Sequence, residues 1–169
     1  MKLTKPLLTA LLLLLTSMAA FSQQQQIVKI LNDELKREAK RELESASFDG
    51  DTLVVTQPYH IKNNILSFSV KKKDYYDSVW YIHTQSVDLS KITAIVKDIN
   101  VIFETKADAV QLTDSILNPL PGTAAVKKNT GDMLFVHLSY EKNNESLAVK
   151  LVQAFKKAGY TIEKRFWAD

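Results

Sequence analysis

The sequence predicts an α+β fold, with one antiparallel, barrel-like sheet of about six or seven strands, an N-terminal helix and a C-terminal capping helix. Three observations predict it. Residues 27–46 place apolar side chains four apart, the spacing of a helical stripe. From Leu53 to Tyr140 the pattern changes to alternation and short β-branched runs separated by turn residues. Residues 143–158 return to helical spacing and stop at a glycine. Strands that follow one another through short turns imply antiparallel pairing.

The first residues stand apart from that domain. Lys2 and Lys5 precede an uncharged run through Leu11-Leu12-Leu13-Leu14-Leu15 to Phe21, and the small residues Ala20 and Ser22 lie before Gln23. A positive start, an apolar middle and a small-residue exit predict a secretory signal peptide over residues 1–22. The competing reading is an uncleaved anchor, but Pro6–Phe21 is 16 residues against the roughly 20 a bilayer needs. No transmembrane segment is expected once the signal is removed, and the predicted location is the periplasm or extracellular space. Removing 22 of 169 residues leaves 147, enough to bury roughly two-thirds of the unfolded surface. Lysine plus arginine falls from 22 to 20 against 19 acids, a net charge of +1 that gives no support to nucleic-acid binding. There is no cysteine, hence no disulfide and no thiol for a lipid anchor.

Residues 23–50 are read as a polar spacer, Gln23 to Gln26, followed by an amphipathic helix. Its stripe is Ile27, Leu31, Leu35, Ala39 and Leu43, and Asp33–Arg37, Glu34–Arg37 and Glu38–Arg41 are spaced as ion pairs. The stripe suits either docking on its own domain or an arm for a partner. Phe48-Asp49-Gly50-Asp51 ends the helix, and residues 51–169 form the sheet domain. Leu53-Val54-Val55 opens the first strand. Leu66, Phe68 and Val70 alternate with Ser67, Ser69 and Lys71 in the second. Val79, Tyr81, His83, Gln85 and Val87 alternate with Trp80, Ile82, Thr84 and Ser86 in the third. Ile92–Lys97 and Val101–Thr105 make a hairpin across Asp98-Ile99-Asn100, Ala109–Leu112 a short strand, residues 118–132 a loop, and Met133–Tyr140 a further strand. Asn143 or Asn144 is placed to cap the last helix, whose apolar face is Leu147, Leu151, Ala154, Phe155 and Ala158, with Gly159 just past its end. The tail "YTIEKRFWAD" is apolar enough to pack as an extra strand.

This order, with "DMLFVHLSYEKNNESLAVKLVQAFKKAGY" running from a last strand into an amphipathic helix, resembles the pleckstrin-homology-like fold over residues 51–158. The resemblance implies a curled antiparallel sheet closed at one end by the C-terminal helix. Phosphoinositide-binding members carry basic residues along the second strand. Here Lys71-Lys72-Lys73 runs into Asp74, Tyr75, Tyr76 and Asp77, and "SVWYIHTQS" has no Arg or Lys, so that ligand is not implied.

Chemistry is faint in the sequence. The histidines are His60, His83 and His137, on separate segments without metal-ligand spacing, although His83 and His137 suit neighbouring strands. No cysteine, GxSxG motif or Gly-rich phosphate loop is present, and no metal or cofactor is implied. Asp74 with Asp77, and Asp98 with Glu104, are paired carboxylates at turns or strand ends, where Asp is expected for backbone reasons. The run "VKKKDYYDSVW" concentrates charge and tyrosine at a hairpin tip. Its candidate partner-binding residues are Lys71, Lys72, Lys73, Tyr75 and Tyr76, since tyrosine offers contact area at low entropic cost. The functional expectation is therefore a non-catalytic exported binding or envelope-associated protein, its partner another envelope or extracellular protein. The alternatives are a hydrolase whose histidines and carboxylates meet only in the fold, and a purely structural envelope component.

Overall fold

A computed structural model describes residues 5–45, 53–73, 79–119, 122, 124–139 and 141–168, with side chains from Ser22 onward. The fold is α+β. Helix α1 spans Lys5–Glu44. Strands β1 (Val54–Lys62), β2 (Ile65–Lys73), β3 (Trp80–Asp88), β6 (Val110–Ile116) and β7 (Val126–Gly131) form a five-stranded antiparallel sheet in the order β1-β2-β3-β6-β7. A second sheet has the order β8-β5-β4-β9, from β4 (Ile92–Lys97), β5 (Val101–Thr105), β8 (Met133–Phe135) and β9 (Glu163–Trp167). Helix α2 (Glu145–Lys157) lies between β8 and β9 in sequence. The strands thus divide between two sheets rather than closing one barrel.

Local chemistry explains most joints. Asn63 and Asn64 both have positive φ, 52° and 64°, the conformation of a two-residue hairpin turn that Asn tolerates better than most side chains. Between β3 and β4, Asp88 accepts from the Ser90 amide at 2.8 Å and starts a 3-10 turn, Leu89–Lys91, that carries the chain from one sheet to the other. Gly159 closes α2 with φ 87°, and the Tyr160 amide reaches back to the Phe155 carbonyl at 2.9 Å.

Both sheets and both helices share one core. Leu66, Phe68 and Val70 of β2 face Ile95 of β4, Phe103 of β5 and Phe155 of α2 within a single buried cluster that also holds Ile27, Leu31 and Leu35 of α1. Tyr59 stacks on Phe68 with ring centroids 4.3 Å apart, and its hydroxyl donates to the Val136 carbonyl at 2.9 Å. The N-terminal helix is therefore docked on its own domain.

Several expectations need correction. Residues 118–132 are not all loop, because Val126–Gly131 is the polar edge strand β7, paired antiparallel to β6. The tail does form a strand, but β9 runs parallel to β4. The stripe on α1 holds at Ile27, Leu31 and Leu35 but fails at Ala39, which is exposed, and at Leu43, which is 57% exposed. A strict four-residue repeat drifts around a helix of 3.6 residues per turn, so the docked face passes instead to Glu34 and Glu38, both 5% exposed. Glu38 leaves Arg41 and accepts from the Ser139 amide, the Ser139 hydroxyl at 3.3 Å and the Glu141 amide at 3.3 Å. Arg41 reaches Glu141 at 2.9 Å, Asp33 pairs with Lys29 at 2.5 Å, and only Glu34–Arg37 forms as expected. Lys97, the last residue of β4 and charged, is nonetheless 2% exposed and donates to the Glu141 carbonyl at 2.7 Å and Asn144 Oδ1 at 3.0 Å. Asn144 occupies the cap position of α2 without a side-chain cap bond, because its amide oxygen serves Lys97 and, at 3.2 Å, Trp167 Nε1.

Candidate functional site

The inward face of the five-stranded sheet changes character along its length. Alternation puts Leu66, Phe68, Val70 and Lys72 on one face of β2. The register sets Leu66 against Val87, Phe68 against Gln85 and Val70 against His83 on β3, and His83 against Asp114 on β6. Starting from Leu66 the face is apolar core. By Lys72, His83 and Asp114 it is charged, although these positions share the parity of the core residues. A cleft of about 290 Å³ opens there, lined by Lys72, His83, Gln85, Asn100, Phe135 and His137. A smaller pocket of about 120 Å³ adjoins it, sharing Asn100 and His137 and reaching Glu38 and Glu42 of α1.

The polar groups are held in fixed poses. His83 Nδ1 lies 2.6 Å from Asp114 Oδ1. An ionised carboxylate only accepts, so Nδ1 carries the proton and Nε2 is the atom left for a ligand. Gln85 bridges the two sheets, since its Nε2 donates to the Phe135 carbonyl at 3.1 Å and its Oε1 accepts from the Phe135 amide at 3.1 Å. Those two backbone bonds fix which end of the amide is nitrogen. The same nitrogen sits 3.4 Å from His137 Nε2, which must then be the bare acceptor, leaving the His137 proton on Nδ1. His137 also has φ 56°, a conformation uncommon outside glycine and concentrated at functional sites. Its ring leans on Phe68 at 5.6 Å. Burial, then the neighbouring Lys72 and His83, hold its pKa down at about 4, so it is neutral at physiological pH. Burial also lowers the Lys72 ammonium, with Asp114 opposing the shift.

The residues singled out from the sequence are divided by the fold. Lys72 enters the cleft. Lys71 and Lys73 point to the other face, where their ammoniums lie 4.4 Å and 6.0 Å from the Trp80 ring centroid. Tyr75, Tyr76, Asp74 and Asp77 lie outside the described residues. His83 and His137 are brought to one cleft, whereas His60 sits on β1 with Nδ1 3.1 Å from the Pro58 carbonyl oxygen. Asp98 and Glu104 sit at opposite ends of the β4–β5 hairpin, and Glu104 accepts from Arg165 at 2.6 Å. Among the described residues no group of three or more His, Cys, Asp or Glu is placed to hold a metal ion.

Sequence reasoning missed Gln85, Asn100 and Asp114 as site residues. The available signal was parity, because Lys72, His83 and Gln85 share faces with core residues of β2 and β3. A wider hollow of about 480 Å³ at the far end of the sheet, bordered by Asp88, Lys91, Lys106 and Asp108, is less convincing as a site. Asp88 serves the 3-10 turn there, and Asp108 accepts from the Thr130 hydroxyl at 2.9 Å. No protein-family model, curated protein or solved structure matches the chain.

Proposed function

We propose that this is an exported, non-catalytic binding protein that holds a small polar ligand in the cleft at the polar end of the sheet. The observation that carries the reading is the row of Lys72, His83 and Gln85 at inward-facing positions. Desolvating polar and charged groups is unfavourable unless they are paired, and groups perturbed in this way inside a cleft mark binding sites more often than other surfaces do. A purely structural envelope role gives no reason for a depressed Lys72 and a neutral His137 to share a cleft. The test is a screen of polar metabolites and short peptides by thermal shift, followed by ring NMR of the histidines. A true ligand moves the His83 and His137 resonances and loses its stabilising effect in Gln85→Ala. A broad screen in which no compound reaches these rings would refute the reading.

One observation favours a second reading, that of a hydrolase. Asp114 orients His83 as a carboxylate orients a general base, with Nε2 directed away from the pair. His83 would then take a proton from water attacking a bound ester or phosphoester. Turnover of chromogenic esters or phosphoesters that vanishes in His83→Ala would establish it, and the binding reading would then fall.

A further inference from the structure

Resting on the binding reading above, we infer that the ligand of this cleft carries one anionic group, a carboxylate or a phosphate, seated between Lys72 Nζ and His83 Nε2, and that its binding draws one proton onto His83. Among the described residues the cleft holds one lysine, and the one carboxylate acting on it, Asp114, is engaged by His83. Lys72 Nζ makes no hydrogen bond to a described side chain, yet the ammonium is partly desolvated. A half-buried cation with no bonded counter-ion among the described residues favours the arrival of an anion. The other groups that line the cleft, neutral His137, Asn100 and Gln85, add no charge, and Phe135 supplies an apolar wall.

The proton follows from the His83 geometry. With Nδ1–H donated to Asp114, Nε2 of the neutral ring presents a lone pair, which repels an anion. The protonated ring presents an N–H there, while Asp114 stabilises the charge from behind. An anion entering beside Lys72 therefore favours the protonated ring. Among the described residues, the charged and titratable groups facing His83 are Lys72 on β2, Asp114 on β6, Tyr81 on its own strand at 6.4 Å, and His137 after β8. His137 is the poorer proton acceptor, because its Nε2 already accepts from Gln85 and burial disfavours its charged ring.

The probes are acetate, inorganic phosphate and neutral acetamide, titrated into the full chain with histidine ring NMR and calorimetry. Acetate keeps its charge above about pH 5, so its pH dependence belongs to the protein. Acetate or phosphate should shift the His83 ring and take up about one proton. Affinity for acetate should fall as pH rises, with a limiting slope of about tenfold per pH unit for one linked proton. The tighter of the two anions names the ligand's charged group. Lys72→Met should weaken binding by at least about tenfold while remaining folded, since an apolar residue replaces a half-buried charge. Lys71→Met, on the opposite face, should leave it unchanged. Acetamide binding as well as acetate would overturn the anion while leaving the cleft reading intact. Anion binding without proton uptake would overturn the role of His83. No shift of the rings with any of the three probes would overturn the inference as a whole, and the broader screen then decides the cleft reading separately.

Discussion

Phe155 is the side chain on which the joint between α2 and the sheets depends. It is fully buried, with ring centroids 5.5 Å from Phe103 on β5 and 6.5 Å from Tyr160 beyond the helix. A phenylalanine buries on the order of 150–250 Å². Truncating Phe155 to Ala forfeits most of that, about 3 kcal/mol at about 25 cal/mol per Å². The walls cannot close on the gap, because Phe103 is fixed in a strand paired on both sides and Tyr160 is tied by its amide to the carbonyl of residue 155. A residual cavity adds about 1 kcal/mol or more, so Phe155→Ala should lose about 4 kcal/mol, within the range of about 3–5 for such deletions. In urea, at an m value of about 2 kcal/mol/M, the midpoint should fall by about 2 M. Val149→Ala, at an exposed position of the same helix, should change stability by less than about 0.5 kcal/mol and controls for helix propensity. A Phe155→Ala midpoint shift below about 0.5 M would refute the placement of α2 over the core.

Four further outcomes are expected. His137 titrates at about 4 when folded against an ordinary 6.5. The unfolded chain therefore binds more protons between those values, and stability falls as pH drops through that window, by at most about 3 kcal/mol. His137→Asn, which tolerates positive φ, should flatten that slope in acid melts. Glu34, raised by burial, acts with the opposite sign, so the comparison must be wild type against variant, and identical slopes would refute the shift. Glu38→Ala should cost about 2–4 kcal/mol, because the Ser139 and Glu141 amides lose a charged acceptor, and Glu38→Gln less; equal denaturant midpoints for the two variants would show that the amides find water. Mass spectrometry of the protein from its native cells should find a chain that begins near Gln23, as a cleaved signal peptide requires, and lack of residues 1–22 should leave stability unchanged within about 1 kcal/mol, since the first buried position among the described side chains is Ile27. Replacing Tyr75 and Tyr76 with Ser should leave a folded protein whose set of co-purifying proteins loses a member, whereas an unchanged set would refute a contact role and collapse of folding would show that both rings are core.

The parts of the fold that sequence revealed are those decided by local pattern. Ile92–Lys97 and Val101–Thr105 were bounded by their β-branched runs and the Asp98–Asn100 turn, and the last helix by its apolar spacing and Gly159. β7 escaped because an edge strand facing solvent on both sides, "VKKNTG", has no apolar period to display. The parallel pairing of β9 was hidden because register across some 70 residues leaves no trace in either segment. Lys97 reads as polar decoration until Glu141 and Asn144 arrive from elsewhere in the chain to receive it. The cleft follows the same rule. Lys72 and His83 were visible as residues, but Asp114 and Gln85 became site residues only when β3 was set between β2 and β6.

The parallel pairing of β9 with β4 also dictates when the protein can finish folding. Ala94 waits for Glu163, and α1 packs against a helix that begins more than 100 residues later. The five-stranded sheet can pair as soon as its last strand, β7, has appeared, but the second sheet lacks an edge until residues 163–167 emerge. Contacts of such long sequence separation slow folding. A chain threaded through a narrow channel in N-to-C order could thus form its first sheet early, and would complete the second only when its final strand came through.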